Sequence, residues 1–131
     1  MNTSVASYRL APAELDEMHR IAHGSYLQGR YEEASRYFWF MSLHAPTDVR
    51  YLKGLGASLF MARAFTRAST AYACLLQIAP MDPEVSCMYG YTLLMLGERT
   101  QARRLLEYAL RLPGAHESHG RARALLALID R

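Results

Sequence analysis

Two stretches decide the fold: Tyr31–Pro46, YEEASRYFWFMSLHAP, and Phe65–Pro80, FTRASTAYACLLQIAP. Laid over each other at an offset of 34 residues, they match Tyr31 with Phe65, Ala34 with Ala68, Phe38 with Tyr72 and Pro46 with Pro80. A fixed period of this length marks stacked supersecondary units, each of which leaves an apolar face exposed when alone. Gly56 and Gly90 are also 34 residues apart inside helical patterns. Glycine there costs about 1 kcal/mol relative to alanine, so each reads as a place of close helix contact. Ala22 is the equivalent in the first unit. Gly29 and Gly97 mark the turns inside the first and third units, whereas Arg63 stands at the second, so that turn is expected to differ.

The small residues and the closing proline resemble the tetratricopeptide pattern, and through it a third copy becomes visible in Gly90, Gly97, Ala102, Leu106 and Ala109, with Pro113 one place early. The expected architecture is all-α: three tetratricopeptide repeats, about 15–48, 49–82 and 83–116, in a right-handed superhelix, closed by a capping helix at 117–130. Residues 1–12 read as a flexible leading segment and 13–131 as one repeat domain. The periodicity predicts seven helices: Ala13–Gln28, Tyr31–His44, Asp48–Ala62, Phe65–Ala79, Pro83–Leu96, Thr100–Leu112 and Glu117–Asp130. Thr47 or Asp48 and then Asp82 are the expected N-caps, with Pro83 at the tolerated first position.

Composition narrows the function classes. The 131 residues are 51% hydrophobic and 21% charged, which suits a folded domain with a real core. Of the formal charge of +3, all the excess lies after residue 96, in seven basic against four acidic residues. That is too modest and too local for a nucleic-acid stripe, and no nucleic-acid partner is expected. No segment approaches the roughly 18 apolar residues of a membrane span, and the start lacks a signal-peptide run. The expected compartment is the cytoplasm, without stable membrane insertion. Cys74 and Cys87, thirteen residues apart and without companion ligands, read as packing residues.

In this register the first helix of each repeat offers one face to a concave groove. The first contributes Asp16, His19, His23, Tyr26 and Leu27; the second Arg50, Lys53, Ala57, Phe60 and Met61; the third Glu84, Cys87, Tyr91, Leu94 and Met95. Such a face is aromatic and methionine-rich with charge toward one rim, and suits an extended peptide. The competing reading is that individual members touch the capping helix or a neighbouring repeat. A carboxylate clamp, which needs lysine and asparagine on successive first helices, is not supported, because His23, Ala57 and Tyr91 stand where asparagine is wanted.

The run Tyr37, Phe38, Trp39, Phe40, Met41 covers the whole circumference of its helix. Phe38 and Met41 are expected inside with Tyr37 beside them, and Trp39 and Phe40 outside. Cover by a second subunit is the preferred expectation, giving a possible homodimer through Tyr37, Trp39 and Phe40. Cover by the leading segment through Val5, Tyr8 and Leu10 is the alternative.

Signs of catalysis are weak. His19 and His23 have the i, i+4 spacing of metal ligands, but no glutamate lies between them and no third ligand is evident. His116 and His119 flank a turn and read as exposed. There is no phosphate loop, nucleophile elbow or apolar carboxylate pair. No enzyme activity, cofactor or metal is expected.

Tyr51–Ala68, YLKGLGASLFMARAFTRA, following Gly29–Arg30–Tyr31–Glu32–Glu33–Ala34, resembles the central repeats of the class II chaperones of bacterial type III secretion. The most specific part is GLGA, Gly54 to Ala57, followed by Phe60 and Met61. The resemblance spans roughly residues 13–130. It implies a non-catalytic protein that keeps a hydrophobic translocator soluble by holding a short extended segment of it in the groove. It also implies a binding role for Tyr26, Phe60, Met61, Tyr91, Leu94 and Met95. The chain departs from that family in its basic charge and in having only about a dozen residues before the first repeat. Two alternatives stay open: a co-chaperone of a needle or early export subunit, and a general cytosolic scaffold.

Overall fold

The helical periods and their punctuation become seven helices in a computed structural model that describes residues 10–114 and 116–131. They are α1 (Pro12–Leu27), α2 (Tyr31–His44), α3 (Val49–Met61), α4 (Phe65–Ile78), α5 (Pro83–Met95), α6 (Arg99–Arg111) and α7 (His116–Ile129). No strand occurs among the described residues. The expected bounds hold to within one residue, and at α3 and α5 side-chain caps fix the start. Asp48 accepts from the backbone N–H of Arg50, and Asp82 from that of Glu84, each at 3.0 Å, which satisfies donors a helix start leaves open. At α1, Glu14 reaches back to the Ala11 N–H at 2.7 Å. The proposed flexible segment ends inside this helix, since Pro12 is its first residue. Val5 and Tyr8 lie outside the described residues.

The turns within the three repeats are alike, which corrects the expectation for the second. Gly29, Arg63 and Gly97 have φ of 80°, 64° and 83°. In each turn two N–H groups reach back in the same way: Gly29 to Tyr26 O and Arg30 to Ser25 O; Arg63 to Phe60 O and Ala64 to Leu59 O; Gly97 to Leu94 O and Glu98 to Leu93 O, all within 2.8–3.0 Å. The hydrogen bonding of the helix end imposes the left-handed geometry, and Arg63 accepts it despite its Cβ.

The chain divides into two compact units, one ending at Ala64 and one beginning at Phe65. In the first, α2 packs on both α1 and α3. Its centre is Phe38, whose ring lies so close to α3 that a Cβ on Gly54 would fall 2.3 Å from it. Gly54, not part of the 34-residue echo, is thus a packing glycine, while Gly56 is buried as expected. In the second unit the α5–α6 pair is flanked by α4 and α7. Cys87, Leu93, Ala102, Leu106, Ala109, Ala122, Leu125 and Ile129 form its core, where a Cβ on Gly90 would meet Leu106 at 2.8 Å. Two arginines of α6 fasten the end of α7: Arg99 donates to the Ile129 carbonyl at 2.8 Å and Arg103 pairs with Asp130. His119, expected to be exposed, is half-buried and bonds the Leu112 carbonyl at 2.8 Å.

Candidate functional site

In the first unit the assigned face divides along the helices into a charged end and an apolar end. At the amino-terminal end the His19 ring lies between two others, 5.8 Å from Phe38 in an edge-to-face arrangement and 5.8 Å from Tyr51. Its position in the repeat therefore lies in the seam between α1 and α3 as well as on the face. Burial, then the nearby Arg50 and His23, hold its pKa below the ordinary imidazole value. Arg50 is committed locally: Nε and Nη2 donate to the two carboxylate oxygens of Asp48 at 3.2 and 3.0 Å, and the guanidinium stands 5.2 Å from the centre of the Tyr51 ring. Asp48 is correspondingly held below the usual carboxylate range, chiefly by this hydrogen bonding. Lys53, half-buried, stands one turn beyond Arg50, and His23, exposed, one turn beyond His19.

Toward the carboxy-terminal ends of α1 and α3 the face becomes apolar. Tyr26 is half-buried and meets Tyr31 edge-on at 5.3 Å. Ala57 and Phe60 are half-buried, whereas Leu27 and Met61 keep 70% and 43% of their surface exposed. Each is the last residue of its helix, two places before the left-handed turn residue. The same repeat position thus carries an exposed large apolar side chain on both helices.

The second unit corrects part of the assignment. Cys87 is fully buried in the core with Ala122, Leu125 and Ile129 of α7 and does not line a face. Burial raises its thiol pKa to about 11. It stands two periods after His19, and this position turns toward the next helix in the stack. Tyr91 and Leu94 are half-buried and pack against the same core, and Met95 is 41% exposed. Cys74, expected inside, is exposed.

On α2, Phe38 and Met41 are buried, while Trp39 and Phe40 are 53% and 37% exposed. Tyr37 is half-buried and, with Ala13, Glu14, Glu17, Met18 and Ile21, lines an open cleft of about 330 Å³. Leu43, missed in the sequence, is also exposed. Its place four residues after Trp39, on the same stripe, is the signal that could have found it. Tyr51 and Asp48, which position His19 and Arg50, were missed as site residues because their roles depend on contacts between helices. Among the described residues no group of three His, Cys, Asp or Glu side chains is placed to hold a metal. No described helix is long and apolar enough to cross a membrane.

The fold is the all-helical, tetratricopeptide-like one of the translocator chaperones of type III secretion. No protein-family model matches the sequence, and no curated protein matches it. Among solved structures, the chaperone SycD of Yersinia enterocolitica in complex with a peptide of the translocator YopD is similar at 23% identity, over 92% of this chain and 95% of that one, with a TM-score of 0.84. PcrH from Pseudomonas aeruginosa is similar at 21% identity, over 93% and 96%, with a TM-score of 0.85. A chain of the CopN–Scc3 complex is similar at 19% identity, over 98% and 76%, with a TM-score of 0.81.

Proposed function

We propose that this chain is a non-catalytic cytoplasmic chaperone of a type III secretion system, holding an apolar, extended segment of a secreted translocator-type partner and keeping it soluble for export. The observation that carries this reading is the recurrence of exposed large apolar side chains at one repeat position, Leu27, Met61 and Met95. They occur on a fold whose solved examples include SycD with a YopD peptide. An extended segment of the partner would cover these side chains, with Tyr26 and Phe60 in the first unit and Tyr91 and Leu94 in the second each offering apolar contact to it. The exposed aromatic stripe at Trp39 and Phe40 serves a different contact, for which a second copy of the chain is the proposed cover.

The test is co-expression with the secreted proteins of the host's secretion system. A partner that is insoluble alone should stay in solution with this chain. Phe60→Ala and Tyr91→Ala should each weaken the complex by about 2 kcal/mol, with helix content kept by circular dichroism. Unchanged affinity in both variants would move the binding surface elsewhere. A partner that is equally soluble alone would favour the scaffold reading.

A further inference from the structure

The charged end of the first unit's face has a composition that the apolar end does not explain. Facing the His19 imidazole are Asp16 and His23 from α1, the Phe38 ring from α2, and Asp48, Arg50 and Tyr51 from α3 and its cap. Lys53 lies one turn beyond Arg50. The two carboxylates and two cations balance formally, and Arg50 is already held by Asp48 through two hydrogen bonds. Net positive charge therefore arises here only when an imidazole takes up a proton. His19 is fixed in place by the two rings, while His23 is exposed one turn away on the same helix face.

We propose that His19 and His23, with Arg50 beside them, form a subsite for an acidic side chain of the bound partner segment, and that filling it takes up protons. This rests on the binding face proposed above and adds to it the chemistry of one position in the partner. With the existing charges balanced, a partner carboxylate supplies the counter-charge for the proton that an imidazole takes up. It offsets the repulsion that Arg50 and His23 exert on a protonated His19, so binding and protonation favour each other by linkage. Burial, then the neighbouring Arg50, already hold the His19 pKa below its ordinary value, which leaves a proton to be gained on binding.

The helix also sets the spacing. From Arg50 to Phe60 along α3 is ten residues by number, about 15 Å at the helical rise, and an extended chain crosses that distance in roughly four to five residues. The acidic residue is thus expected about four or five positions from the partner's apolar anchors.

The probes are capped synthetic peptides carrying a Val-Leu pair, a spacer of about four Gly and Ser residues and then Glu, made in both chain directions, with Gln counterparts. Calorimetric titration would be run at two pH values in buffers of different ionisation enthalpy. A Glu peptide should bind about five- to tenfold more tightly at pH 5.5 than at pH 7.5, with a buffer-dependent heat that reports proton uptake. Its Gln counterpart should show neither effect. His19→Gln, and the exposed His23→Gln in case the first variant folds poorly, should each reduce both effects. The His19 imidazole followed by NMR should titrate at higher pH in the complex than in the free protein. Equal affinities for the Glu and Gln peptides at both pH values, or an undiminished pH dependence in both histidine variants, would overturn the subsite while leaving the binding face intact. Failure of every peptide to bind would remove the face and the subsite together.

Discussion

At Arg63 a side chain occupies backbone geometry that Gly29 and Gly97 hold at the equivalent turns. A non-glycine residue in the left-handed region costs about 1–2 kcal/mol, while a glycine adds about 0.4–1 kcal/mol of unfolded-chain entropy to be lost. The first effect is the larger, so Arg63→Gly should stabilise the protein by roughly 0.5 kcal/mol, seen as a higher urea midpoint with an unchanged slope. A lower midpoint would show that the contacts of the Arg63 side chain outweigh the backbone term. His19 provides a second test at this scale. Its pKa is depressed in the folded protein by burial, then by Arg50 and His23. Folding thus favours the neutral ring, and this contribution is complete above the ordinary imidazole pKa and is lost as pH falls through it toward the folded value. The urea midpoint should fall between pH 7.5 and pH 5.5, and His19→Gln should flatten that fall. An identical pH dependence in the variant would locate the effect elsewhere.

Among elements, the contrast between Gly54 in α3 and Gly24 in α1 separates packing from propensity. A Cβ on Gly54 would fall 2.3, 2.4 and 2.5 Å from three carbons of the Phe38 ring. That ring is 3% exposed and abuts His19, so it has little room to yield. Overpacking of this kind costs about 1–3 kcal/mol and exceeds the gain of up to about 1 kcal/mol from placing alanine in a helix. Gly54→Ala should therefore destabilise the protein. A Cβ on Gly24 meets nothing within 4 Å, so Gly24→Ala should gain most of that propensity term. Thermal melts of the two variants should move in opposite directions, and a stabilised Gly54→Ala would mean that α2 and α3 separate more easily than their contact suggests.

For the whole molecule, the outer stripe of α2 sets the expected state of association. Trp39 and Phe40 expose more than a third of their surface, and Leu43 on the same stripe is 40% exposed. A single stripe that a two-fold axis can pair with itself favours a closed dimer over an open chain. Light scattering should give a dimer for the intact protein and a monomer of unchanged helix content for the Trp39→Glu, Phe40→Glu variant. A monomer in both cases would remove the proposed dimer.

The amino-acid sequence by itself determined the helices, their ends and their repeat. Periodicity, Asp48 and Asp82 as caps, and the 34-residue echo act over one or two turns, so they are legible without knowing what packs where. For the same reason it separated Phe38 and Met41 from Trp39 and Phe40 on α2. Tertiary structure alone decided which residues on a first helix meet open surface and which enter the seam. His19 is wedged between Phe38 and Tyr51 yet keeps part of its surface on the face, while Cys87 at the equivalent place is wholly enclosed in the core with α7. A few degrees of helix rotation and the neighbour's side chains settle that choice, and a helical period of 3.6 residues does not encode either. The conformation of Arg63 escaped the sequence likewise, because the helix-end hydrogen bonds, summed over the turn, override the preference of one residue.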